Sequence, residues 1–179
     1  GVGKSAFLSW VILWWLLTHY PSKIAATANT AHQLSDVLWA ELSKWLKHLP
    51  KGFQDQLEIK SDKINLASAP DSFAVARTSR RESPEALQGF HSPNMLFVCD
   101  EASGIPDIIF EVGQGSMSTP GAKTLMVGNP TRAKGFFSDA FANKRWQTMT
   151  VSCLDSTQVS PDFIEQMAEQ YGEESNIYR

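Results

Sequence analysis

Residues 95–99, MLFVC, are five apolar residues in unbroken succession. A surface helix or a half-exposed strand interrupts such a run with polar positions; a strand covered on both faces does not. Residues 124–128, TLMVG, repeat the pattern, and residues 148–153, TMTVSC, make a weaker third run. Helical patterns fall at 106–112, 135–143 and 161–171. Strands buried on both faces need helices on both faces, so the expected architecture is α/β on a mainly parallel sheet.

The first half of the chain fits that scheme. Residues 5–20 read as a helix stopped by Pro21, and residues 23–28, KIAATA, have strand length. Thr30 with Gln33 has the spacing of a capping box. After it, Leu34, Val37, Leu38, Leu42, Trp45, Leu46 and Leu49 share one helical face before Pro50. Trp39 flanks that stripe and is free to meet a partner. Residues 57–78 change to short β-like pieces, LEIK, INLA and FAVART, with turn signals between them.

Composition narrows the function classes. With 179 residues, 42% hydrophobic and 20% charged, the chain suits one globular domain. The uncharged stretch 6–17 is shorter than the ~20 residues a membrane span needs, and reads as a helix buried on most sides. No signal-peptide pattern surrounds it, so export is not expected and a cytoplasmic setting is. Cys99 and Cys153 are too few and too far apart for a disulfide framework or a metal cluster. A net charge of −3 and pI near 5.8 give no global basic surface for nucleic acid.

Three short stretches carry chemistry. Gly3, Lys4 and Ser5 read as the close of a G-x-x-x-x-G-K-[ST] phosphate loop, whose opening glycine would lie upstream of residue 1. In such a loop, backbone N–H groups converge on phosphate, the lysine supplies a point charge, and the serine hydroxyl ligates Mg²⁺. Asp100 and Glu101 end the 95–99 run, at the strand edge where ligands bind in open parallel sheets. There Asp100 suits the Mg²⁺ shell and Glu101 suits a base for an attacking water. Asn129, in GNP after the next apolar run, would emerge at the same edge; taken alone, Gly-Asn-Pro is an ordinary turn.

Together these stretches resemble the ATPase domain of the large terminase subunit, the motor that packages DNA into tailed bacteriophage capsids. GVGKS resembles the end of its Walker A loop, ATANTAHQL the segment after the second strand, and GFHSPNMLFVCDEASGIPD its Walker B region. LMVGNPTRAKGFFSDAF resembles the coupling motif, and residues 151–179 the stretch leading toward a second domain. The resemblance implies a P-loop NTPase fold of the additional-strand-catalytic-glutamate (ASCE) type, a three-layer sandwich whose first strand would precede residue 1. It implies ATP and Mg²⁺ as cofactors, with Gly1, Val2, Gly3, Lys4 and Ser5 at the nucleotide. Ser5 and Asp100 would hold Mg²⁺; Glu101, Lys4 and Asn129 would be catalytic, Asn129 sensing the γ-phosphate. Residues 1–179 would be a single partial ATPase domain, with a nuclease domain beyond Arg179. Implied partners are double-stranded DNA, a small terminase subunit and sister copies in a ring on a portal, within an infected or lysogenic bacterium and without a membrane.

Two alternatives stand beside this: a helicase-like P-loop ATPase, and a non-hydrolysing nucleotide-binding assembly module. Arg77, Arg80 and Arg81 could reach a neighbour's phosphate but read better as a solvated loop. Arg132 and Lys134 divide evenly between phosphate or DNA coupling and plain surface. His91 reads as structural, and Met117 and Met126 as packing residues.

Overall fold

The computed structural model describes residues 2–78 and 89–174. Strands β1 (Ser22–Ala28), β2 (Leu57–Ile59), β3 (Lys63–Leu66), β4 (Ala69–Ala76), β5 (Asn94–Asp100) and β6 (Lys123–Met126) form one sheet in the order β2-β3-β4-β1-β5-β6. β1 pairs in parallel with β4 and β5, and β5 with β6, while β2, β3 and β4 form an antiparallel meander. The two expected doubly covered runs are thus adjacent strands, but only β5 is buried on both faces; β6 is the outer strand and its residues are at most partly buried.

Period-two alternation divides β5 between two cores. Leu96 and Val98 face the layer of α1 (Lys4–Thr18) and α2 (Ala40–His48), packed with Leu8, Ile12, Leu16, Leu38 and Leu42. Met95, Phe97 and Cys99 face the other layer, where α4 (Asp107–Gly115) contributes Ile109 and Phe110, and α5 (Phe136–Ala142) brings Phe136 to stack on Phe110 at 4.6 Å. Met117 and Met126 pack at the edge of this second core. Helices on both faces make the three-layer α/β sandwich that the sequence predicts.

Four further expectations need correction. Residues 148–152 are not a strand: Met149 and Val151 are exposed, and a short 3-10 turn, Cys153–Asp155, follows. β-branched composition favours extended backbone, but a strand also needs a partner, and among the described residues this stretch pairs with no strand of the sheet. Second, α1 is buried on its sheet face but leaves Phe7, Trp10 and Trp14 exposed, because the sheet covers one side and α2 only a flank. Third, the expected helix over residues 34–49 opens as a π-helical stretch, Gln33–Trp39, before α2. The wider π turn rotates Trp39 inward. Fourth, as a result, Trp39 is buried with its indole N–H donating to the Lys60 carbonyl at 3.3 Å, while Trp45 is partly buried, edge-on to Trp10.

A short helix, α3 (Lys51–Gln54), leads into the meander, and α6 (Pro161–Tyr171) is the last helix among the described residues, with Pro161 in its first turn, over the range the sequence predicts. No helix among the described residues is long and apolar enough to cross a membrane.

Candidate nucleotide site

The alternation that sorts β5 also aims its last residue. Asp100 continues the Leu96–Val98 series and so turns toward α1, opposite Ala28 of β1 in register. It is fully buried. One carboxylate oxygen, Oδ1, accepts from the Glu101 backbone N–H at 3.0 Å, and Oδ2 accepts from Gln33 Nε2 at 3.3 Å. Burial raises its pKa above the ordinary aspartate value; the Gln33 and Glu101 hydrogen bonds and the Lys4 charge oppose that rise, and the Glu101 charge adds to it. Its neighbour Cys99, buried in the other core, has its thiol pushed far up by burial, which keeps it protonated and unreactive.

Glu101 departs from the strand with φ 47° and ψ 48°, a left-handed conformation uncommon for a residue with a Cβ. This turn separates two adjacent carboxylates into different environments: Asp100 inward, Glu101 partly exposed at the rim. There Glu101 Oε1 lies 3.6 Å from Lys4 Nζ.

Lys4 is the first residue of α1. Before it Gly3 has φ 83° and ψ 21°, with open space around its α-carbon, so glycine is required by the backbone angle and not by crowding. No side chain caps the helix, so its first N–H groups and the positive end of its dipole face the rim beside Ser5. Lys4 Nζ donates to Asn129 Oδ1 at 3.0 Å across 125 positions of sequence.

Asn129 is held there by the backbone before it. Val127 N–H donates to the Cys99 carbonyl at 3.0 Å and its own carbonyl accepts from Ala102 N–H at 2.8 Å. A Cβ on Gly128 would come within 2.9 Å of the Ala102 nitrogen, so the close approach of the two strand tips needs glycine. Thr131 Oγ1 then donates to Ser103 Oγ at 2.9 Å.

The structure therefore brings Lys4, Asp100, Glu101 and Asn129 to one rim, with Val2, Gly3 and Ser5 beside them on the loop and first turn. Gly1 lies outside the described residues, as do Arg80 and Arg81. Arg77 is turned to the sheet edge, its guanidinium donating to Asp62 at 3.1 Å. His91 is exposed. Arg132 and Lys134 are exposed on the wall of a separate cavity of about 480 Å³, shared with Asn29, Ser103 and Asp107. The residue that sequence reasoning missed is Gln33. It was legible as half of a capping box, and Thr30 Oγ1 does accept from Gln33 N–H at 3.1 Å; but the Gln33 side chain goes to Asp100 instead of back to Thr30.

No family model matches the chain. A curated relative, the "Probable terminase, large subunit" of Enterobacteria phage P7, is 25% identical over 147 residues, covering 78% of this chain and 29% of that protein. The large terminase of a thermophilic bacteriophage, solved in complex with ADP, superposes with a TM-score of 0.70 at 18% identity, over 95% of this chain and 42% of that one. The ATPase domain of the Thermus phage P74-26 large terminase superposes with a TM-score of 0.65 at 18% identity, over 96% of this chain and 77% of that domain.

The chain has the fold of a large-terminase ATPase domain. The resemblance read from the motifs and the likeness of the folds agree. The chain spans 29% of its curated terminase relative and 42% of the ADP-bound terminase chain.

The donor set also fits the magnesium ion that a terminase-type P-loop site implies. Mg²⁺ prefers oxygen ligands and keeps most of its shell as water and phosphate, with one or two groups from protein. A serine hydroxyl at a helix start and one buried carboxylate meet that need. No cluster of three or more His, Cys, Asp or Glu suited to an all-protein metal cage occurs among the described residues.

Proposed function

We propose that the chain binds ATP with Mg²⁺ at this rim and hydrolyses it by in-line attack of water on the γ-phosphate, as the motor domain of a DNA-packaging terminase. The observation that carries this reading is the meeting of Lys4, Glu101 and Asn129 from three distant segments, with 3.0 Å and 3.6 Å contacts at the Lys4 ammonium.

Each residue has a role its environment suits. Val2, Gly3 and the first turn of α1 present N–H groups to the phosphates, as would Gly1. Lys4 exchanges its neutral amide partner for phosphate oxygens, against which an ammonium is a far stronger partner. Ser5 and Asp100 would hold the Mg²⁺, which when bound supplies charge neutralisation at the β- and γ-phosphate oxygens. Glu101, partly exposed and turned out of the strand, accepts the proton of the attacking water. Asn129 loses Lys4 as a hydrogen-bond partner when the nucleotide arrives, so its amide can turn to the γ-phosphate. Because Asn129 and Ser103 belong to loops bonded to each other, that movement reaches the residues that follow it.

The terminase reading extends to double-stranded DNA as the substrate moved, a ring of sister copies on a portal, a small terminase subunit, and work in the host cytoplasm. The phage P7 relative and the folds of the two solved terminases support it.

The test is nucleotide hydrolysis by the full-length protein. Lys4→Ala and Glu101→Gln are each expected to lower turnover at least ~10²-fold, the lower bound for losing general base or charge stabilisation. Rates within about threefold of wild type would reject the assignment. A strand-displacement assay separates the helicase alternative: a packaging motor moves duplex without opening it.

A further inference from the structure

We infer that Gln33 is a positioning residue for Asp100, fixing the orientation of the buried carboxylate; this rests on reading the rim as a Mg²⁺–nucleotide site. An ionised carboxylate only accepts hydrogen bonds, so the Gln33 amide must present its NH₂ to Asp100 Oδ2, at 3.3 Å across 67 positions of sequence. Oδ1 is already held by the Glu101 backbone. The terminal torsion of an aspartate is broad, so one donor leaves the carboxylate free to swing about it. A second donor on the other oxygen closes that freedom.

Gln33 is itself held from two sides. Its backbone N–H is capped by Thr30 Oγ1 at 3.1 Å. Its position opens the π-helical stretch Gln33–Trp39, anchored by the buried side chains of Leu34, Leu38 and Trp39. A glutamine at this place in a helix start ordinarily reaches back to the capping residue. Here the side chain forgoes that bond for one to a carboxylate on a neighbouring strand, and the rare π turn gives the backbone from which it does so. The loop after β1 thereby becomes a support for the tip of β5.

Outer partners of metal-ligating groups typically change metal affinity by about 10- to 100-fold. Gln33→Met keeps length and volume and removes the donor. In the full-length protein, binding of a fluorescent non-hydrolysable ATP analogue is titrated against Mg²⁺, with melting temperature measured on the nucleotide-free protein. Gln33→Met is expected to raise the Mg²⁺ concentration for half-maximal binding about tenfold, with analogue affinity in EDTA and melting temperature near wild type. Thr30→Ala, which removes the cap but keeps the Gln33 amide donor, is expected to lower the melting temperature and to shift the Mg²⁺ dependence less than Gln33→Met does. Should Gln33→Met fail to fold, Gln33→Asn, whose amide is one methylene too short to reach, carries the same expectation. A wild-type Mg²⁺ dependence in the Gln33 variant, or equal Mg²⁺ shifts in the Gln33 and Thr30 variants, overturns the inference while leaving the site reading intact. Absence of Mg²⁺-dependent binding in the wild type overturns both.

Discussion

The rim at the tips of β1, β5 and β6 and the stretch from Asn143 onward are built in opposite ways. At the rim, bonds join residues far apart in sequence: Lys4 to Asn129, Gln33 to Asp100, Thr131 to Ser103. In the later stretch, bonds such as the reciprocal Ser152–Asp155 capping box and the Gly172–Ala168 helix end join near neighbours, while Trp146 reaches back edge-on to Phe136 of the second core. Met149, Val151, Leu154 and Phe163 are all exposed there. A rim assembled from non-local contacts is rigid because the sheet beneath it is; a stretch of local contacts has only its own propensities. Function that depends on atoms held to a fraction of an ångström belongs in the first region.

Substitutions sharpen this contrast. The largest expected loss of stability is beneath the rim: Phe110→Ala, at a fully buried ring stacked on Phe136, should cost about 3–5 kcal/mol in chemical denaturation. A cost near zero would mean that the second core does not support the strand tips.

An intermediate effect is expected at Asp100, and its sign is informative. Because burial raises its pKa, the folded nucleotide-free protein binds the Asp100 proton more tightly than the unfolded chain does. Its contribution to stability therefore falls as pH rises from the ordinary aspartate value through the raised one. Asp100→Asn should remove that slope and stabilise the nucleotide-free protein above the window, since Gln33 can turn its amide to offer oxygen in place of nitrogen. The same variant should lose Mg²⁺-dependent binding. Denaturation midpoints across acidic to neutral pH check this, and a destabilised variant at neutral pH would contradict it.

The smallest effect belongs to the later stretch. Val151→Asp should change stability by no more than about 0.5 kcal/mol. A loss above about 2 kcal/mol, the size typical of a packed position, would show that this stretch is packed, and the contrast would fail.

The same difference explains what was legible in the chain. MLFVC predicts β5 because burial on both faces leaves a mark on every residue; TLMVG carries the same mark and does form a strand, but β6 covers Lys123–Met126 at the sheet edge, where it is only partly buried. Residues 161–171 predict α6 because a proline start and helical spacing are local signals. TMTVSC misleads because a weak apolar run is a local signal, whereas strand formation depends on pairing with a partner strand elsewhere in the chain. The π turn at Gln33–Trp39 is invisible to a 3.6-residue period, which is why that period sets Trp39 beside the apolar stripe when the fold buries it. At the site, the residue types of Lys4, Asp100 and Glu101 declare their chemistry through spacing. Gln33 does not, since a glutamine three places after a threonine has an ordinary structural explanation, and its real partner lies 67 residues away.

The central claim is that the Lys4–Asn129 contact marks where a terminal phosphate sits. A crystal structure of the full-length protein with Mg²⁺ and a non-hydrolysable ATP analogue tests it directly. The triphosphate should lie over residues 2–5 with the Lys4 ammonium on phosphate oxygen, the 3.0 Å bond to Asn129 broken, and Asp100 facing the metal. Nucleotide bound elsewhere, with Lys4 still on Asn129, would contradict it.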